Sequence, residues 1–231
     1  EALSLEGVSF SYHEGTPVLT GIDLRIPAGS HVGIIGATGG GKSTLLNLLL
    51  RFRDPSEGRV TIDGVDLRTL ALDDLRRRIG LVLQDVHVFP GTVLDNLGGD
   101  ANAARRALDT LGLDLPLDRT LSEGGDNLSR GERQLLTFAR ALVGDPEVLV
   151  LDEATSAVDP ATEARVQDAL HRLQAGRTTV TVAHRLRTVR CCDRIYVLSG
   201  GKIAEAGNHE ELIARGGLYA ALSQLQLGAV T

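Results

Sequence analysis

The stretch HVGIIGATGGGKSTLLNLLL, His31–Leu50, decides the fold. HVGIIG (31–36) is a short apolar run of the kind that forms a buried strand. GATGGGKST follows at once and places Gly36, Gly41, Lys42 and Ser43 in the spacing G-x-x-x-x-G-K-[ST]. Glycines let the backbone wrap until several N–H groups point inward at phosphate oxygens. STLLNLLLRF (43–52) has helical spacing and no breaker, so a helix start adds its positive end to the same place. The loop through Gly36, Thr38, Gly39, Gly40, Gly41, Lys42, Ser43 and Thr44 is therefore the candidate phosphate cradle. Lys42 is expected to reach the β- and γ-phosphates of a nucleotide, and Ser43 to offer an oxygen to Mg²⁺. Lys42 and Lys202 are the only lysines in a chain whose other cations are arginines, which makes Lys42 conspicuous.

Other strand ends carry polar groups. VLVLDE (148–153) is an apolar run ending in Asp152, and ligands of open α/β sheets sit at the C-terminal edges of the strands. Asp152 is expected to hold Mg²⁺ through water. Glu153 is expected to polarise an attacking water as general base or orienting group. Read alone, the pair could also be a helix cap or a solvated turn. Gln84 closes GLVLQ (80–84) and His184 closes TTVTVAH (178–184), so both are expected at the same edge as Asp152. His184 could contact a γ-phosphate or the attacking water, although a strand-end histidine alone is more often a cap or a surface group. Tyr12, in an N-terminal turn, could stack on a base or anchor the core. The other histidines, at 13, 31, 87, 171 and 209, show no metal-ligand spacing.

The remaining pattern predicts an α/β fold: a P-loop NTPase core with a mixed or parallel sheet, an N-terminal antiparallel β subdomain and a helical insertion. Leu3, Leu5, Val8, Phe10 and Tyr12 mark a first strand with a bulge or turn at Gly7. VLTGIDLRI (18–26) and GRVTIDG (58–64) give further strands. Helical segments are expected at 72–79, 101–111, 130–143 and 162–173, the last with Val166, Ala169, Leu170 and Leu173 as its apolar stripe. Residues 194–207 read as a hairpin, Asn208 as a helix cap, and 218–225 as a terminal helix. One domain is expected over 1–231, with a core at 1–84 and 146–231 and a helical subdomain at 85–145.

The chain has 231 residues and a net charge of −6, with no long basic run, so nucleic acid is not the expected partner. Its two cysteines, Cys191 and Cys192, are adjacent and read as thiols of a reducing compartment. No signal peptide opens it, and no run of about 18 apolar residues could span a membrane. It contains no methionine and opens on EALSLEGVSF, a strand already under way, so an excised domain with a missing preceding segment is expected.

LSEGGDNLSRGERQLLTFARAL (121–142) turns from a glycine-rich loop into an amphipathic helix. Ser129 is placed to cap it, with Glu132 completing a capping box. With the phosphate loop and the acidic strand end, LSRGE resembles the signature of the nucleotide-binding domain of ABC transporters, and the resemblance covers nearly the whole chain. It implies an ATPase that binds ATP and Mg²⁺ and powers export. Two such domains would stack head to tail, so that Ser129, Gly131 and Glu132 face the ATP on the partner's loop. It also implies that Tyr12 stacks on adenine, that Gln84 senses Mg²⁺ and couples to the membrane domain, that SAVD (156–159) is the D-loop with Asp159 near the interface, and that His184 is the switch histidine. Glu123 would lie near the coupling helices. By the same resemblance Lys42, Gln84, Glu153 and His184 would form the catalytic set, and Ser43, Gln84 and Asp152 the metal set. The family's commonest signature, L-S-G-G-Q, differs here at Arg130 and Glu132. Because the chain's own catalytic half is intact, a heterodimer is favoured over a homodimer. The implied setting is the cytoplasmic face of a membrane, with transmembrane domains upstream.

Overall fold

The computed structural model describes residues 2–13, 15–83, 85, 87–152, 160–183 and 185–228. Along the chain come β1 (Leu3–His13), β2 (Thr16–Ile26), β3 (His31–Gly36), α1 (Lys42–Leu49), β4 (Glu57–Ile62), β5 (Val65–Asp66) and α2 (Leu72–Arg78). Next are β6 (Ile79–Val82), β7 (Gly91–Thr92), α3 (Val93–Asn96), α4 (Ala101–Leu111), β8 (Thr120–Leu121), α5 (Arg130–Leu142), β9 (Val148–Asp152) and α6 (Pro160–Gln174). The chain closes with β10 (Thr178–Ala183), α7 (Leu186–Val189), β11 (Arg194–Ser199), β12 (Lys202–Gly207), α8 (His209–Arg215) and α9 (Leu218–Gly228). Two compact units result, one of Glu1–Arg76 with Thr178–Thr231, the other of Arg77–Arg177.

The first unit contains an antiparallel sheet in the order β2-β1-β4-β5. Leu3 and Leu5 occupy odd positions of β1, Val8 and Phe10 even ones, yet all four are buried. A strand with strict two-residue alternation could not bury both pairs. The register against β2 shifts between Leu5 and Val8, where Gly7 has a φ of 56°, so of the bulge or turn expected there a bulge forms and rephases the strand. The same unit carries strands ordered β12-β11-β3-β10, with β3 parallel to both β10 and β11 and β12 antiparallel to β11. Parallel neighbours on both sides explain why HVGIIG is apolar without alternation. Tyr196 fastens β11 to the end of β2: its hydroxyl accepts from the Arg25 amide at 3.2 Å and donates to the Arg25 carbonyl at 3.0 Å.

One expectation in this unit needs correction, and another is resolved. The helix read over 43–52 ends at Leu49. Arg51 takes a left-handed φ of 52°, and its guanidinium donates to the carbonyls of Leu70 at 2.7 Å and Arg68 at 3.1 Å. These long-range bonds outweigh helical propensity, and Phe52 is left exposed. Tyr12, read both as a residue of the first strand and as part of the turn after it, lies in β1, because the ladder with β2 continues to the pair His13 and Thr16.

In the second unit β6 and β9 pair in parallel, and α4, α5 and α6 enclose an apolar core. Val166, Ala169, Leu170 and Leu173 are all buried in it, as the stripe requires. The unit also holds a small antiparallel pair, β7 with β8, that periodicity did not reveal. Buried Asn96 organises the loop beside it. Its side-chain amide donates to the carbonyls of Phe89 and Thr92 at 2.9 and 3.0 Å, and its oxygen accepts from the Phe89 amide at 3.0 Å.

Candidate nucleotide site

The phosphate loop lies between β3 and α1. Gly36 ends β3 where a Cβ would run into the Leu198 carbonyl of β11, so no other residue fits there without moving the sheet. Gly41 precedes α1 with a φ of 96°, and a Cβ there would come within 2.7 Å of Leu19 Cδ2. Both motif glycines are thus required by backbone geometry. Lys42 is 4% exposed and folds back beneath the loop. Its Nζ donates to the Gly36 carbonyl at 2.7 Å and to the Ala37 carbonyl at 2.9 Å. Thr38, Gly39 and Ser43 are exposed, and Thr44 is buried.

The start of α1 differs from those of α3, α4, α5 and α8, although the four-residue α7 shares its lack of a side-chain cap and of an acidic first turn. α3, α4, α5 and α8 are capped by the side chains of Thr92, Asp100, Ser129 and Asn208. α1 has no side-chain cap hydrogen bond and no acidic residue in its first turn. Its leading N–H groups, with a buried ammonium beside them, make a site for a polyphosphate anion.

Tyr12 belongs to the same unit. Its hydroxyl is 3.3 Å from Thr44 Oγ1, in the first turn of α1, and its ring meets Phe10 edge-on at 4.9 Å. Sequence reasoning found both Tyr12 and Thr44 but not their contact, because 31 residues separate them and no local pattern encodes the approach of β1 to α1.

Asp152 is the last residue of β9 and is partly buried, as its place at the end of an apolar strand predicted. Gln84, Glu153, the SAVD run with Asp159, and His184 lie outside the described residues. Among the described residues, no group of three or more His, Cys, Asp or Glu side chains is placed to hold a metal ion. Cys191 and Cys192 are free, and burial pushes the Cys192 thiol up to about 12.

The signature segment forms the capping box read from the sequence. Ser129 Oγ accepts from the Glu132 amide at 3.2 Å, and Glu132 Oε2 accepts from the Ser129 amide at 2.7 Å. Backbone hydrogen bonding from Ser129 holds the Glu132 carboxyl below its ordinary range, and Arg119 at 3.7 Å adds to this. Gly131 is buried against α6, where a Cβ would come within 2.7 Å of Thr162 Cγ2. Arg130 is exposed, and Glu123 is exposed in a short turn before the helix. Asn127, which the sequence reading passed over, pins the loop: its amide donates to the Thr120 carbonyl at 2.8 Å, and its own carbonyl accepts from Arg119 at 2.7 Å.

The box gives a stability prediction. Ser129→Ala should cost about 1 kcal/mol in urea unfolding, whereas Glu132→Gln, which keeps the box but loses its charge, should cost less than that at pH 7. Glu132's folded value is depressed, so its ionic contribution is complete above the unfolded carboxylate range. That contribution is lost as pH falls through the folded value. The gap between the parent and E132Q should therefore shrink on acidification. A gap that widened would contradict the assigned pairing.

Strand, glycine loop, buried lysine and uncapped helix together define a P-loop nucleotide-binding protein. The sequence profile of the ABC transporter family matches residues 19–156, and the chain belongs to that family as its ATP-binding ATPase domain. It is 44% identical, over 97% of its length, to an uncharacterised ABC transporter ATP-binding protein of Bacillus subtilis, YknV, and covers 39% of that protein. It is 45% identical, again over 97% of its length, to an ATP-dependent lipid A-core flippase of Cupriavidus pinatubonensis, of which it covers 41%. A bacterial Atm1-family ABC exporter solved with ATP bound superimposes with a TM-score of 0.86 at 37% identity, over 97% of this chain and 41% of that one. The chain thus spans about two fifths of the length of the curated relatives it matches.

Proposed function

We propose that this domain binds ATP with Mg²⁺ and hydrolyses it to drive export across a membrane, acting as one of a head-to-tail pair. The observation that carries the reading is Lys42, buried under a glycine loop at the uncapped start of α1. In this reading Gly36 to Thr44 cradle the phosphates and Tyr12 supports the adenine. Ser43 and Asp152 contribute oxygen donors of the hard type that Mg²⁺ selects, with Gln84 as the third metal contact. Glu153 activates water, and His184 orients it toward the γ-phosphate. The helical stretch 85–145 acts as the signature subdomain. Ser129, Gly131 and Glu132 face the partner's ATP at the start of α5. The proposed setting is the cytoplasmic face of a membrane, beside transmembrane domains. Among the described residues no helix is long and apolar enough to cross a membrane. The relatives named as an exporter and a flippase support this setting.

The preference for unlike chains rested on Arg130 and Glu132. Arg130 is exposed, and Glu132 fills a capping box that glutamine would also fill. Both residues fit their own helix start, and the proposal keeps unlike chains as the favoured pair, because this chain's own catalytic set is intact while the signature that would face the partner's ATP departs from the family's commonest form.

A shared site makes activity depend on concentration. For the 231-residue chain assayed by itself, ATP turnover per domain should rise with protein concentration, since pairing is then bimolecular and lacks the millimolar effective concentration that linked copies enjoy. Flat specific activity over a hundredfold range, in protein that sedimentation shows to be monomeric, would overturn the shared site.

A further inference from the structure

Tyr12 is fixed at both ends. Its ring lies edge-on against buried Phe10, with an interplanar angle of 88°. Its hydroxyl meets Thr44 Oγ1 at 3.3 Å. Even so, the residue is 48% exposed. Stacking on a base uses only the ring, and for that purpose phenylalanine would serve as well as tyrosine. The hydroxyl does something else. Thr44 is 5% exposed and stands two residues after Lys42 in the first turn of α1. A buried threonine hydroxyl needs a partner, and the partner's position selects its χ1 rotamer. The contact therefore joins the end of β1 to the turn that begins the phosphate cradle.

We propose that Tyr12 is a positioning residue for the phosphate loop as well as a platform for the base, acting through its hydroxyl on Thr44. The proposal rests on the nucleotide reading above and adds a coupling within that site. A stacked base steadies the ring, the ring's hydroxyl steadies Thr44, and Thr44 steadies the first turn of α1. Conversely, a phosphate seated on that turn holds the ring ready for a base.

The test uses two probes in magnesium buffer, ATP and inorganic tripolyphosphate, titrated by calorimetry into the parent, Tyr12→Phe, Thr44→Val and the double variant. Tripolyphosphate has no base, so a role limited to stacking leaves its affinity unchanged in Y12F. The proposal expects Y12F to weaken both probes by roughly two- to tenfold, the range for one neutral hydrogen bond. It also expects Y12F to add nothing further in the Thr44→Val background. Tyr12→Trp, which keeps a stacking surface without this hydroxyl, should repeat the tripolyphosphate loss and guards against misfolding of any one variant. Unchanged tripolyphosphate affinity in Y12F, or an equal Y12F penalty with and without Thr44, would overturn the coupling. If the parent binds tripolyphosphate too weakly to measure, the same cycle on ATP decides. A parent that binds neither probe would instead remove the nucleotide reading on which the coupling stands.

Discussion

Replacing Lys42 with alanine is expected to abolish ATP turnover and to weaken nucleotide binding sharply. Lys42 is the buried cation of the loop, held by the Gly36 and Ala37 carbonyls at 2.7 and 2.9 Å. When a polyphosphate arrives, that ammonium lies in a partly dry, preformed cradle, where a charge stabilises a transferring phosphoryl group far more than it would in water. Loss of one such preorganised group typically costs about a hundred- to a thousandfold in rate. K42A also leaves the Gly36 carbonyl short of a donor, so a stability cost of about 1–3 kcal/mol should accompany it. Binding and folding separate cleanly in a thermal melt. Saturating ATP at about a hundred times its Kd should stabilise the parent by about 2.7 kcal/mol and raise its Tm, whereas K42A should show almost no ATP-dependent shift. Near-parental turnover by a folded K42A protein would sink the loop assignment.

Glu153→Gln should separate chemistry from binding. Glu153 directly follows Asp152, the end of β9, and its proposed role rests on the sequence, since it lies outside the described residues. The substitution keeps the shape and removes the basic oxygen. Positioned acid–base groups contribute about 10²–10⁴-fold, so turnover should fall by that factor while ATP still binds. Pairs closed on ATP should then persist, because hydrolysis no longer dissolves them, and size-exclusion chromatography with Mg·ATP should show a dimer absent without nucleotide. Hydrolysis at the parental rate would assign the base to another residue.

Much of the candidate site was legible because its signals are local. The spacing of Gly36, Gly41, Lys42 and Ser43 places a loop between a strand and a helix, and left-handed Gly41 is needed within that short span. The capping box of Ser129 and Glu132 is likewise a matter of three residues along one turn. Contacts between distant segments were not legible in this way. Gly131 was expected to matter for close approach to a partner's phosphate, and the structure adds a reason inside the chain, the packing of Thr162 against it. Arg51 ends α1 early by reaching the Leu70 carbonyl, a contact that no helical periodicity announces.

By itself, then, the sequence determined the order of the longer strands and helices, the phosphate loop and the caps at Ser129 and Asn208, because alternation, glycine conformation and i to i+3 hydrogen bonds act over a few residues. It also marked Gly7 as the site of a bulge or turn, and the register shift there shows a bulge. Only the tertiary structure decided where α1 stops and that the Tyr12 hydroxyl meets Thr44. Each of these turns on segments far apart in the chain and close in space, where the gain from one specific contact outweighs the local preference of either segment.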